Sequence, residues 1–488
     1  MPRTGPAAPE LSSWGTEDAS VRSLAHSAPV TVSETPSIVW FRQDLRLSDQ
    51  AAFAAAAAEG PVLAVYVLDD ETPGEWRIGG AQRWWLHHTL AALAESLADL
   101  GVALVLRRGR AADEIARIAE ETGAKRVHCL AHQEPWWREA EDALARSVDL
   151  VRHPGRLLAE QGMVRTGSGG PFRIFTPFWR ALQLHMPPPP PEPAPTNVQG
   201  MVHPPRSDRL EEWYLLPTAP NWAEGFGHWT PGEAGARARL EAFADEVGDY
   251  DHARNLPSTD GTSSLSPHLH FGEVSPAAVW HALEGKNGAE SYLRELGWRD
   301  FAANLIVQLP DYGTAHGRAK MDALAWRTGQ EADAEFRAWT RGQTGYPIVD
   351  AGMRQLWHIG WMHNRVRMIA ASFLVKHLLI DWRRGQHWFW DCLVDADYGN
   401  NAVNWQWIAG TGVDSSPFGR IRAPLVQSPK FDAGAYIRRW VPELAGLDDS
   451  RIHDPHGAGV APAGYPEPLI AHRPARERAL AAAAAARG

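Results

Sequence analysis

Several short stretches of this chain carry residue types whose spacing suits chemistry. In Glu295-Leu296-Gly297-Trp298-Arg299 the carboxylate, the indole and the guanidinium recur at three- and four-residue intervals, so on a helix they share one face. A carboxylate beside an indole can hold a flat ligand, with the ring stacking and the carboxyl group hydrogen-bonding. An intrahelical ion pair beside a packed tryptophan would use the same residues. Gly261-Thr262-Ser263-Ser264-Leu265-Ser266-Pro267 precedes an apolar helical stretch. Consecutive amides and hydroxyls at a helix start suit an anion, phosphate above all, and helix capping selects the same residues. His363-Asn364-Arg365-Val366-Arg367-Met368 adds an amide and two guanidinium groups ahead of Ile369, Ala370, Phe373, Leu374, Leu378 and Leu379, apolar residues at helical spacing. An arginine buried there needs a carboxylate, and Asp395 and Asp397, just before Tyr398-Gly399-Asn400-Asn401, are the candidates. Arg365, Arg383, Arg384, Arg420, Arg422, Lys430, Arg438 and Arg439 face few local acids apart from Asp414 and Asp432. Interleaved with aromatics, they suit a phosphate backbone.

Elements able to position these groups are legible in the hydrophobic pattern. Ile38–Phe41, Val62–Leu68, Val102–Leu106 and Val127–Leu130 are short apolar runs that read as buried strands. Ala51–Ala58, Ala81–Leu100, Ala111–Thr122 and Glu134–Ala145 read as helices between and after them. That alternation predicts a doubly wound, Rossmann-like parallel sheet in an α/β N-terminal domain. No Gly-x-Gly-x-x-Gly follows the first strand, which argues against a standard dinucleotide site there. The turn Arg42–Asp49 reads either as a solvated helix entrance or as a functional loop. Prolines from Pro187 to Pro205 mark a stiff extended connection, and helical periodicity dominates from Tyr250 onward. The expected organisation is a loose tail at 1–35, an α/β domain at 36–165, a linker at 166–249, a larger all-helical domain at 250–475, and an alanine-rich tail at 476–488 whose Ala481–Ala486 run reads as a frayed helix.

Composition narrows the function classes. With 488 residues, several domains are expected. The two cysteines, Cys129 and Cys392, cannot build a disulfide framework or a cysteine-ligated metal cluster. No apolar run reaches the length of a membrane span, and residues 1–35 lack a signal-peptide core, so a cytoplasmic protein is expected. A net charge of −10 argues against a chain coated for nucleic acid, yet leaves room for the local basic face. The 23 tryptophans are unusual, most of them beyond residue 210.

From about Ser37 to Leu444 the chain resembles the photolyase/cryptochrome family. The resemblance rests on Val39-Trp40-Phe41-Arg42-Gln43-Asp44-Leu45-Arg46, Thr262–Pro267, Glu295–Arg299, Gly345-Tyr346-Pro347-Ile348-Val349-Asp350, Gly360–Arg365 and Trp405-Gln406-Trp407, in order and at appropriate spacing. It implies a non-covalent FAD, reduced and anionic in the active form, in the helical domain. Tyr250, Thr262, Ser263, Ser264, Leu265 and Ser266 match the stretch holding its phosphates and ribityl chain. Asp395 and Asp397 match positions at the flavin, Arg367 would pair with Asp395, and Asn401 matches the residue facing flavin N5. In the family the excited flavin passes an electron to a pyrimidine dimer flipped out of UV-damaged DNA; the dimer splits and the electron returns. A flipped base needs an aromatic platform to replace its lost neighbours, and Trp298 and Trp407 match that platform. Glu295 matches the carboxyl group on the dimer carbonyls, Arg299, Asn364 and Met368 match further substrate contacts, and Arg365, Arg420 and Gln427 match groups that meet the DNA strand. Trp405, Trp382 and Trp326 match the chain that re-reduces an oxidised flavin, Trp326 only after a few inserted residues before Trp339. Trp357, Trp361 and His363 read as core.

Within the family, Asn401, Trp298 and Glu295 resemble repair enzymes more than cryptochromes, the blue-light signalling relatives. Asn364 after His363 departs from the paired histidines of six-four photoproduct enzymes, which favours the cyclobutane dimer. A non-catalytic DNA-binding flavoprotein is the third possibility, because Gly419–Pro424 and Tyr398–Asn400 depart from the commoner motifs. Trp84–His88, Gly352–Trp357 and His387–Trp390 look like those of bacterial class III photolyases. That likeness implies a second, antenna chromophore, methenyltetrahydrofolate in preference to a deazaflavin. A monomer that associates with the nucleoid when bound to DNA, with no membrane partner and no metal cluster, completes the expectation.

Overall fold

The computed structural model describes residues 35–415 and 418–486, so the N-terminal tail apart from Thr35 lies outside the described residues. Ser37–Phe41 (β1), Val62–Leu68 (β2), Leu104–Arg108 (β3), Arg126–Leu130 (β4) and Asp149–His153 (β5) form one parallel sheet in the order β3-β2-β1-β4-β5. Every residue of the central β1 is buried, as a strand with helices on both faces requires. Alternation along the strand divides its side chains between two cores. Ile38 and Trp40 pack with Ala111–Thr122 (α3) and Pro135–Leu144 (α4). Val39 and Phe41 pack with Ala51–Glu59 (α1) and Gly80–Asp99 (α2). Four of these strands are legible as apolar runs, though β3 starts two residues later than its run. The fifth is a half-buried edge strand of alternating charged and apolar residues, and no continuous apolar run marks it.

Strand order reverses between β1 and β4, which opens a crevice at their C-terminal ends. The Arg42–Asp49 turn lies there, and it is not a solvated entrance. Arg42, Asp44 and Arg46 are almost fully buried. Arg42 pairs with Glu141 at 2.7 Å, and Arg46 donates to the carbonyls of Gly155 and Gly272, both at 2.9 Å. Gly272 has φ +67°, and a Cβ there would fall 2.4 Å from the Gln43 carbonyl oxygen. These buried cations therefore tie the sheet to the helices that follow, and carbonyl dipoles stand in for a carboxylate partner on Arg46.

Phe175–Leu182 (α5) and Glu233–Glu246 (α6) fall within the stretch read as a linker. The remaining helices are Tyr250–Ala253 (α7), Ser266–His270 (α8), Pro276–Leu283 (α9), Glu290–Gln308 (α10), Gln330–Thr340 (α11), Pro347–Ile359 (α12), Asn364–Ser372 (α13), Trp382–Cys392 (α14), Tyr398–Ala409 (α15), Pro424–Lys430 (α16), Gly434–Trp440 (α17) and His472–Ala485 (α18). Two expectations are corrected here. The single helix read over Arg365–Leu379 ends at Ser372 and widens to π pitch over Phe373–His377. That wider turn carries the fully buried Lys376, whose ammonium donates to the Ala409 carbonyl at 2.8 Å and lies 3.3 Å from the centre of the Phe418 ring. The alanine run is not a frayed end either. Ala475, Ala479 and Ala483 recur every fourth residue of α18 and are buried; Ala479 and Ala483 pack with Met321, Leu324, Leu379 and Phe418.

Candidate active site

The predicted anion loop, Gly261 to Ser266, joins α7 to α8 and is shaped by close approaches. A Cβ on Gly261 would fall 2.5 Å from that of Ala253, and Ser264 takes the left-handed φ of +52°, a conformation held against its steric cost by surrounding contacts. Arg239 of α6 donates to the carbonyls of Ser263 at 2.6 Å and Thr262 at 3.1 Å. Thr262, Ser263, Ser264 and Ser266 of the loop line a cavity of about 270 Å³ together with Tyr250, His270, Arg299, Asp395 and Asp397. Leu265 is fully buried and anchors the turn from below.

A second cavity, of about 370 Å³, shares Arg254, Glu295, Asn364, Arg367, Asp395, Asp397 and Asn400 with the first, so the two adjoin. At their junction Arg367 of α13 grips Asp395 with two bonds of 3.1 and 2.9 Å, and Ser266 donates to the same carboxylate at 2.6 Å. A two-pronged pair of this kind is among the strongest a buried site can hold. Asp397 caps α15 by accepting from the Asn400 amide at 2.7 Å. One turn later Asn401 is buried and donates to the Gln386 carbonyl at 3.2 Å. Hydroxyls and amides at one end, then a paired guanidinium and a buried carboxamide, suit a diphosphate joined through a polyol to a flat heterocycle. FAD fits this donor set.

The outer wall carries the predicted substrate residues. Glu295, Trp298, Asn364, Arg365, Met368, Trp405 and Trp407 all line the 370 Å³ cavity. Glu295 pairs with Arg254 at 2.7 Å, a partner the sequence reading missed; its only local signal is its place four residues after Tyr250. Trp298 stacks face to face on Phe175. Arg365 donates to Asn255 and lies over the Phe431 ring. The Arg422 guanidinium lies 5.5 Å from the centre of the Trp407 ring, and burial, with Arg420 and Arg365 nearby, brings its pKa down to about 10. Arg420 is exposed and Gln427 half-buried on α16, and neither lines the cavity.

Two placements are corrected. Arg299 does not join Glu295 and Trp298 on the substrate wall. Its guanidinium turns inward to donate to the carbonyls of Arg156 and Leu269, so it braces the cofactor end against the α/β layer. Trp357 is not core: it is 51 % exposed and stacks on Trp388, with ring centres 6.0 Å apart. The other indoles divide by depth. Trp405 and Trp382 are buried, and a Cβ on Gly385 would fall 2.2 Å from the Trp405 ring, so α14 presses on that ring one turn after Trp382. Trp326 stands half-buried among the residues that pack around Met321, Leu324 and Leu379.

His363 is buried and caps α13 by accepting from the Arg365 amide at 3.2 Å. Burial, reinforced by Arg365 and Arg367, brings its pKa down from 6.5 to about 4. Between those values the unfolded chain binds a proton that the folded one refuses, so stability falls as pH falls through that window, by about 1.4 kcal/mol per pH unit, while the cap itself persists until the folded imidazole is protonated. Urea unfolding across the window is expected to show this slope, and His363→Asn, which keeps a capping oxygen, is expected to flatten it by one proton's worth.

Among the described residues no group of three or more His, Cys, Asp or Glu is arranged to hold a metal ion, and no helix is long and apolar enough to cross a membrane. Residues 37–195 match the family model described as DNA photolyase, and residues 292–485 match the FAD binding domain of DNA photolyase. The deoxyribodipyrimidine photo-lyase of Agrobacterium fabrum is 46% identical over 93% of this chain and 99% of its own length. Cryptochrome-1 of Arabidopsis thaliana is 35% identical over 91% of this chain and 69% of its own length. Among solved structures, a bacterial class III photolyase from Agrobacterium tumefaciens superposes with a TM-score of 0.89 at 46% identity, covering 95% of this chain and 100% of that one.

Proposed function

The chain belongs to the photolyase/cryptochrome family, and on that premise we propose that it reverses cyclobutane pyrimidine dimers in UV-damaged DNA under blue light. The observation that carries the reading is that Arg367, Asp395 and Asn401 line the same cavity as Glu295, Trp298 and Trp407. A dimer between the two indoles would then lie against the cofactor with no protein between them. FAD, when bound, supplies the light absorption and the electron.

The chain's own residues do the rest. Trp298 and Trp407 replace the stacking that a dimer loses on leaving the duplex, worth about 1–3 kcal/mol per base. Glu295 faces the dimer carbonyls, where as the neutral acid its O–H would donate to the oxygen on which negative charge develops, and its partner Arg254 adds a cation beside the same site. Asn364 and Met368 close the slot, while Arg365, Arg420 and Gln427 meet the flanking phosphates. Arg367 with Asp395 holds the flavin edge, Asn401 presents its amide to the ring, and the hydroxyls and amides of Thr262 to Ser266 take the diphosphate. Trp405, Trp382 and Trp326 form the path by which an oxidised cofactor is reduced from the surface. Trp382→Phe is accordingly expected to abolish most light-driven reduction of the oxidised cofactor while leaving repair by chemically reduced protein unchanged; equal loss of both would contradict the assignment.

We assign a second, light-harvesting chromophore to the protein, methenyltetrahydrofolate ahead of a deazaflavin. The emission of cofactors released on denaturation separates the two. The protein would act as a monomer on nucleoid DNA in the cytoplasm. Competition binding in the dark tests the substrate: an oligonucleotide with one thymine cyclobutane dimer is expected to bind far more tightly than its undamaged twin, and equal affinity would overturn the reading.

A further inference from the structure

Resting on that repair reading, we propose that Phe175 and Asp414 are positioning residues that fix the plane of Trp298 and the width of the lesion slot. Neither residue belongs to the walls identified above, and Phe175 lies in a segment that reads as linker in the sequence.

The case begins with how α5 lies on α10. The Trp179 ring occupies the space that a Cβ on Gly297 would need, 2.5 Å away, so glycine at that position brings the two helices into close contact. Phe178 then packs on Phe301 with ring centres 5.4 Å apart. At the start of α5, Phe175 stacks on Trp298 with centres 3.5 Å apart and 8° between planes. Phe175 is 2 % exposed, whereas Trp298 remains half-buried at the cavity wall. One face of the indole is thus plated by a buried ring and the other is left for a ligand. Without the plate, the indole could rotate about its side-chain torsions, and ordering it would then cost part of the lesion's binding free energy.

The plate is itself held by a distant segment of the chain. Ile174, at the N-cap of α5, offers no side-chain cap, so the first amides of this helix need an outside acceptor. Asp414 provides it, its carboxylate accepting from the Phe175 amide at 2.7 Å. Asp414 sits in the turn that follows α15, and the last turns of α15 carry Trp407. The Phe172 carbonyl is held in turn by Asn304 at 2.8 Å and Gln308 at 2.9 Å, both on α10. A single carboxylate therefore links the two aromatic platforms through Phe175. The distance between them is set by this link as well as by the separate packing of α10 and α15.

The test uses flavin-loaded full-length protein in the dark and compares a single-stranded oligonucleotide carrying one thymine cyclobutane dimer with its undamaged twin. Phe175→Leu keeps the bulk and removes the flat face; it is expected to weaken lesion binding about tenfold, the scale of one aromatic stack. Flavin content and affinity for undamaged DNA are expected to stay unchanged, and Phe175→Tyr is expected to bind as the parent does. Asp414→Ala is expected to behave like Phe175→Leu, and Asp414→Asn, which keeps an acceptor oxygen, to stay near the parent. Undiminished lesion affinity in Phe175→Leu and Asp414→Ala would overturn the proposal. So would a parallel loss of flavin and of undamaged-DNA binding, because that pattern marks general packing. Parent protein that fails to distinguish the two oligonucleotides would overturn the repair reading itself, and the proposal with it.

Discussion

Asp395→Ala protein is expected to purify nearly free of FAD, with cofactor affinity lowered by about 100-fold or more. The reason lies in what the substitution leaves behind. Arg367 spends two bonds on this carboxylate, and Ser266 a third. Without the carboxylate, the guanidinium stays at the cavity wall with the Met362 carbonyl, 2.6 Å away, and the Trp361 ring, whose centre is 5.7 Å away, and it loses the anion that pairs with it. The anion loop loses its tie to α13 at the same moment, since Ser266 is the link. Asp395→Asn keeps the acceptor oxygen and drops the charge, so an intermediate affinity is expected. Flavin absorbance per mole of purified protein, followed by fluorescence titration of the apoprotein, measures both variants. Full flavin occupancy in Asp395→Ala would mean that the cradle has been placed wrongly.

Trp298→Ala is expected to lower affinity for dimer-containing DNA by ~10- to 100-fold, the worth of one indole stacked on the lesion, with undamaged DNA bound as before. The separation of the two affinities is the informative part. Arg365 and Arg420 would meet phosphates whether or not a dimer is present, so a change confined to damaged DNA isolates the slot. An equal fall for both substrates would place Trp298 on the general DNA surface.

Local signals made much of the molecule readable. The strands of the sheet core appear as runs such as Ile38-Val39-Trp40-Phe41 because both faces are covered, and the edge strand Asp149–His153 escapes notice because one side of it is not. The flavin-side residues are found because their motifs are short and contiguous: Thr262 to Ser266 form one turn, and Asp395 to Asn401 form a cap followed by the first turn of α15. Contacts that join distant segments leave no such trace. The charged turn of Arg42 and Arg46 reads equally as a solvated helix entrance or a functional loop, and the partners that bury the two arginines, Glu141, Gly155 and Gly272, come from elsewhere in the chain. Arg299 shares a helix face with Glu295 by spacing, but its long side chain reaches back to the Arg156 carbonyl. Phe175 and Asp414 are separated by 239 residues. For the same reason Trp357 reads as core while half of it meets solvent: its partner Trp388 arrives from another helix.

Recovery of thymine absorbance tests the central claim most directly. Protein with its FAD fully reduced is incubated with an oligonucleotide carrying a single thymine cyclobutane dimer and then exposed to blue light. The account predicts that absorbance returns in the light, stays flat in the dark, and stays flat with Asp395→Ala protein that lacks flavin. No light-dependent recovery from parent protein whose flavin is shown to be fully reduced would contradict it.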